Sequence, residues 1–185
     1  MATIHPTARV APSAVLSGDV TLGPGARVSA GAVLDGSRGP VVLGEDVLVM
    51  EHAVLRGRAG HPLSIGAAVL IGPHGNLTGA RIEDEVFVAT GVCVFAGAVA
   101  GARSELRIHS VLQVNSVLPP DTVVPIGWIA AGDPARLFPP DRHDELWAVQ
   151  RELDFPGTMY GVPRDTPMRE LMRRLREADP APGVC

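Results

Sequence analysis

The 185-residue chain contains no lysine: all 16 of its basic residues are arginine. That excludes enzymes that form a Schiff base through lysine, and phosphate-cradling loops whose lysine reaches the terminal phosphates. Aromatic residues are nearly as scarce, with four Phe, two Trp and one Tyr. The two cysteines, Cys93 and Cys185, make no disulfide framework, and neither belongs to a Cys-x-x-Cys or Cys/His pair of a structural zinc site. No run of about 18 apolar residues exists. The opening MATIHPTARVAPSAV has no basic stretch followed by an apolar one, so neither a membrane span nor a secretory leader is expected. A net charge of −4 offers no footprint for nucleic acid or anionic lipid. The expectation is a cytoplasmic protein without nucleic-acid or membrane partners.

What the chain has is 21 Gly, 17 Pro and many small aliphatic residues, with 46% apolar and 19% charged positions. Such a composition folds. A core without rings needs many short, similar layers, and the repeat can be written out. An aliphatic returns every sixth position from Ile4 through Val10, Leu16, Leu22 and Val28 to Leu34. The register jumps to Leu43, jumps again to Ile65, slips by one before Ile82, and then runs unbroken to Val124. Four residues after most of these stands a small or β-branched residue, such as Ala8, Ala26, Val47, Val92 or Ser110. A period of six suits neither a helix nor a long alternating strand; it marks a β-helix of short strands and tight corners. Three six-residue steps close one triangular coil, so residues about 18 apart stack. The two jumps become corner insertions at Arg38–Val42 and Ala59–Ser64.

The solenoid is expected to end near Trp128–Pro134, giving a repeat domain over 1–137 and a helical extension over 138–185. DRHDELWAVQREL reads as a helix capped by Asp141, with Leu146, Val149 and Leu153 on one face. Asp154–Asp165 reads as irregular. Thr166-Pro167 then opens a second helix to about Ala178, with Met168, Leu171, Met172 and Leu175 on one stripe and Arg169, Arg173, Arg174 and Arg176 on a solvated face.

The phrases IHPTARVAPSAVLSGDVTLGPGARVSAGAVLDG, PVVLGEDVLVMEHAVLRG, PLSIGAAVLIGPHGNLTG and VPIGWIAAGDPARL together resemble γ-class carbonic anhydrases and their relatives over about residues 3–137. The repeat and the closing turn are shared with hexapeptide acyltransferases; the amino-terminal phrase and the order of insertions are more specific to the former. The resemblance implies an all-β solenoid, a left-handed parallel β-helix of about seven triangular coils followed by C-terminal α-helices. It also implies a homotrimer with an active site between protomers. In that family three histidines hold a catalytic metal, and the matching positions here are Arg56, Pro73 and Thr78. Guanidinium is cationic, proline has no side-chain donor and threonine is a poor zinc ligand, so no metal and no other cofactor is expected. The family's Arg and Asp of a Leu-Arg-Gly-Asp turn fall on Asp35 and Ser37, and its Asn-x-Gln-Asp group falls on Leu48, Met50 and Glu51.

Stacking arithmetic shows what that face carries instead. Val49, Ile71, Val88 and Leu106 lie one above another, so His52, His74, Gly91 and His109 form one corner column. His52 and His74 should lie about 4.8 Å apart, the spacing of paired strands. The adjoining column presents Arg56, Thr78, Phe95 and Gln113, with Asn76 between the two. The expected site is an inter-subunit cleft in which His74 and His52 supply a base, Arg56 an anion partner and Glu51 an orienting carboxylate. Thr78, Asn76, Phe95, Gln113 and His109 would line it for substrate, and His61, in the insertion AGHPLS, is within reach. The expected function is binding or transformation of a small carboxylate or acyl thioester without metal. An acyl-CoA-dependent acyltransferase and a non-catalytic scaffold are the alternatives.

Overall fold

The computed structural model describes residues 2–178. Cys185 lies outside them, and Cys93 is a free, half-buried thiol. The chain winds as a left-handed parallel β-helix of about seven triangular coils with helices at its carboxy-terminal end, the architecture that the sequence period implies. One face is a seven-stranded sheet; the other two are joined into a 13-stranded sheet, because the strands Val15–Leu22 and Val33–Leu43 run round a corner unbroken. The aliphatic of each sixth position points inward and meets its counterpart on the next coil. On one face the rungs run Leu34 to Leu55, Leu77, Val94 and Leu112 in parallel register. Ala130 adds a step beyond the last aliphatic of the sequence pattern, in register with Leu112. Leu55, Leu77 and Leu112 are fully buried, so truncating any one of them to Ala should cost about 2–5 kcal/mol. In the first coil Ile4 remains 47% exposed, with no further coil above it among the described residues.

The corners are turns that place one residue in left-handed backbone. Along one edge of the prism these are Asp46, Ala68, Glu85, Arg103 and Asp121; along another they are Gly31, His52, His74, Gly91, His109 and Gly127. Glycine adopts such dihedrals freely, and His, Asn and Asp tolerate them better than most residues. The histidine column therefore has a local conformational reason as well as any chemical one. Both expected insertions occur at the third edge. The second folds as a tight hairpin in which the Arg58 and His61 backbones exchange hydrogen bonds of 2.9 and 3.0 Å. Ser104, Ser110 and Ser116 lie fully buried at the three corners of one coil, and the Ser104 and Ser110 hydroxyls have no hydrogen-bond partner among the described residues.

The stack ends where Ile129–Gly132 pairs on one side with the parallel strand Val111–Leu112 and on the other, antiparallel, with Ala135–Phe138. This reversal stops further coil addition at that edge. Among the described residues three α-helices follow, α1 (His143–Gln150), α2 (Phe155–Tyr160) and α3 (Met168–Ala178), with a 3-10 turn, Arg151–Leu153, between the first two. Helix α1 starts after Arg142 with no side-chain cap, so Asp141 does not cap it as expected; Arg142 instead pairs with Glu145 at 2.7 Å. Helix α2 occupies part of the segment expected to be irregular. It is nucleated by Asp154, whose carboxylate accepts the Gly157 N–H, and by Pro156 in its first turn. In α3, Glu170 joins Arg173 and Arg174 at 2.7 and 2.8 Å, in line with a solvated arginine face. No helix among the described residues is long and apolar enough to cross a membrane.

Candidate functional site

The left-handed corner residues aim their side chains along the edge, and the histidines exploit this. The rings of His52 and His74 lie parallel, 9° apart in plane and 5.4 Å between centroids. This is slightly wider than the strand spacing and falls in the range of offset-stacked rings. The His109 ring lies over Gly91, where a Cβ would approach its Nδ1 to 2.3 Å, and the His52 ring lies over Gly31 in the same way. Each imidazole thus leans toward the preceding coil. All three histidines are exposed.

At the far end of the strand that leaves this corner, Arg56 is exposed and stands in register with Thr78 on one side and Asp35 on the other. Thr78 is buried. Burial of Asp35 by itself would raise its carboxyl pKa. The Ser37 hydroxyl and N–H, the Ser17 hydroxyl and the Arg56 charge outweigh that, and hold it below the usual carboxylate value. Ser17 Oγ and Ser37 N each donate to the same Asp35 oxygen at 3.0 Å. Arg56 makes no side-chain ion pair within 4 Å among the described residues. Asp35 was not among the residues that the sequence singled out for the site. Its signal was the register itself, since it sits one rung from Arg56 with the first insertion between them.

Glu51 is exposed at the histidine edge and Asn76 on the adjoining face, and the Glu51 carbonyl accepts the His74 N–H at 3.1 Å. Phe95 and Gln113 continue the Arg56 column, but beneath the chain's own tail. Phe95 meets Phe155 of α2 edge-on at 5.2 Å, and Ala96 and Val114 pack against Met159. Gln113 is buried with its Oε1 unpartnered among the described residues. The Asn115 amide ties the tail down by donating to the Leu153 carbonyl at 3.0 Å and the Thr158 hydroxyl at 2.8 Å. His52, His74 and Glu51 therefore share one edge with His109 two coils along, Asn76 lies on the adjoining face, Arg56 and the buried Thr78 stand at the far side of that face next to the insertions, and Phe95 and Gln113 are covered.

The positions that match the metal ligands of the resembling family do not fit a zinc ion. Arg56 and Pro73 offer no lone pair to a metal, and Thr78 offers only a buried hydroxyl. Among the described residues no three His, Cys, Asp or Glu side chains gather at metal-binding distance within the chain.

The chain is 32% identical over 135 residues to the mitochondrial γ-carbonic anhydrase 1 of Arabidopsis thaliana, a match covering 69% of this chain and 46% of that protein. It is 32% identical over 101 residues to the carnitine operon protein CaiE of Escherichia coli, covering 55% of this chain and 52% of that one. Among solved structures, a hexapeptide transferase family protein from Anaplasma phagocytophilum superimposes with a TM-score of 0.53 at 26% identity, covering 83% of this chain and 87% of that one. The chain spans about half the length of the curated relatives it matches. No protein-family model matches it.

Proposed function

Because the chain is a divergent member of the γ-carbonic-anhydrase-like hexapeptide-repeat proteins, we propose that it works as a homotrimer that binds or transforms a small carboxylate or acyl thioester without zinc. The site is the face that carries His52 and His74 at one side and Arg56 at the other, closed by a neighbouring copy. One observation carries this reading: two parallel exposed imidazoles stand at one side of a face whose other side presents a guanidinium with no ion-pair partner among the described residues. A free guanidinium matches a carboxylate or a developing oxyanion with two parallel hydrogen bonds. A neutral imidazole that reaches the same ligand accepts a proton from water or from an acceptor hydroxyl or amine, an effect of about 10²–10⁴-fold in rate. The roles are His74 or His52 as base, Arg56 as anion partner, and Glu51, Thr78, Asn76 and His109 as groups that orient the ligand. A second copy laid over this face would exclude water and strengthen both interactions.

The likeness to a hexapeptide transferase family protein favours acyl transfer from a thioester as the second reading. There the same histidine would take the acceptor's proton as its oxygen or nitrogen attacks the thioester carbonyl, and the tetrahedral intermediate would collapse with cleavage of the C–S bond, the proton passing to the departing thiolate.

Thermal-shift screening with acyl-CoAs, short carboxylates and zinc tests both. A ligand at 100 times its dissociation constant should stabilise the fold by about 2.7 kcal/mol. Arg56→Ala should abolish the shift given by carboxylates or thioesters. A shift by zinc alone, or ligand shifts that survive Arg56→Ala and His74→Ala together, would remove the proposal.

A further inference from the structure

Away from the histidine edge, both corner insertions and the tail enclose a cavity of about 340 Å³. Arg38 comes from the first insertion, Arg58 and His61 from the second, and Thr158 and Tyr160 from α2. His61 thus belongs here and not to the histidine column. The placement follows from the backbone. The Arg58–His61 hairpin sets those two side chains across from each other, with Gly60 at φ +75° closing its turn. Gly39 passes so close to the Arg58 backbone that a Cβ there would lie 2.2 Å from its carbonyl oxygen, which brings Arg38 alongside.

Its polar side chains are two guanidiniums, an imidazole, a phenol and a threonine hydroxyl, each able to donate. No Asp or Glu side chain among the described residues lines it. Neither Arg38 nor Arg58 has an ion-pair partner among the described residues, and Arg58 uses one N–H on the Met159 carbonyl. The remaining guanidinium donors, the Tyr160 phenol and the Thr158 hydroxyl have none assigned; the Thr158 oxygen already accepts from Asn115, so its own proton is free to donate. Partial burial and then the Arg38 charge disfavour the charged form of Arg58, which the nearby Tyr160 only partly offsets. Two like charges held together without a counterion are an arrangement that an anion stabilises.

We infer that this cavity is an anion-binding site for a phosphate monoester, whose dianionic head lies between Arg38 and Arg58. A dianion matches two guanidiniums in charge, and the volume falls in the range of small-molecule pockets, with room for the organic group that bears the phosphate. Because α2 supplies one wall, the bound anion also fastens the tail to the solenoid. The inference stands apart from the reading of the histidine edge.

Calorimetric titration with inorganic phosphate at constant ionic strength tests it, with acetate as the monoanion comparator. One saturable phosphate site per chain is expected, at least tenfold tighter than acetate. Arg38→Ala, an exposed position that does not hold the tail, should weaken phosphate at least tenfold. Arg107→Ala removes the same charge elsewhere and should leave it unchanged, as should His74→Ala. Phosphate should also slow amide exchange across residues 155–161. No saturable binding at millimolar phosphate, acetate binding as tightly at a site that Arg38→Ala removes, or equal losses from Arg38→Ala and Arg107→Ala would overturn the assignment.

Discussion

Gly91 and His109 share one volume of space: a Cβ at position 91 would lie 2.3 Å from Nδ1 of the imidazole one coil further on. Gly91 also holds φ at +67°, where an L side chain is strained. Gly91→Ala should therefore destabilise by about 1–2 kcal/mol from the backbone alone, with the ring clash in addition. At this chain length each kcal/mol lowers Tm by about 2–4 °C. Combining it with His109→Ala should recover the clash and leave the backbone part, so the two changes must be less than additive. Strict additivity in thermal unfolding would show that the ring does not occupy that space.

The Asp35 carboxyl yields a pH prediction. Its pKa is lowered in the folded chain, the hydrogen bonds from Ser37 and Ser17 and the Arg56 charge outweighing burial. A depressed carboxyl pKa means stability that is present above the unfolded aspartate value and lost as pH falls through the folded one. Asp35→Asn should thus be less stable than the parent at neutral pH. The gap should narrow once the pH drops below the ordinary aspartate range. Denaturant midpoints measured from pH 7 downward check this; a gap constant across the series would mean that the carboxylate charge is not the stabilising feature.

The tail is held by few contacts. Asn115 gives both of its amide hydrogen bonds to it, and Phe155 stands on Phe95. Asn115→Ala should release residues 151–164 while the solenoid keeps its core. Trypsin cleavage after Arg151 and Arg164 should rise several-fold, with the main melting transition moving by no more than a few degrees. Unchanged cleavage would mean that apolar packing alone fixes α2.

The coils were legible because a solenoid repeats one physical demand: an inward aliphatic every six residues and a permissive corner between. That rule placed Leu34, Leu55, Leu77, Val94 and Leu112 on one face, located both insertions, and stacked His52 on His74. Register does not carry ring orientation, so the parallel imidazoles had to be seen. Helix α2 was missed although Asp154 and Pro156 were a readable start signal. Six residues are too few for a periodic pattern, and short helices owe their stability to tertiary packing. The same gap explains Phe95: stacking arithmetic put it outward on the Arg56 column, and only the returning tail covers it with Phe155.

The donor set bears on the reaction that the family name suggests. Hydration of carbon dioxide relies on a metal that brings the pKa of bound water from 15.7 to about 7. A histidine base alone supplies about 10²–10⁴-fold, far short of that demand. With Arg56, Pro73 and Thr78 at the family's ligand positions, the purified protein should carry no stoichiometric zinc and hydrate carbon dioxide no faster than buffer, even with zinc supplied. Carrying Arg56→His, Pro73→His and Thr78→His together should restore metal binding, because three imidazoles satisfy a catalytic zinc. Metal analysis and stopped-flow hydration assays on both forms decide the matter. One zinc per chain in the unaltered protein would show that His52, His74 and a neighbouring copy's side chains rebuild the site. If the triple variant takes up no zinc either, these three positions do not form the family's metal site in this chain.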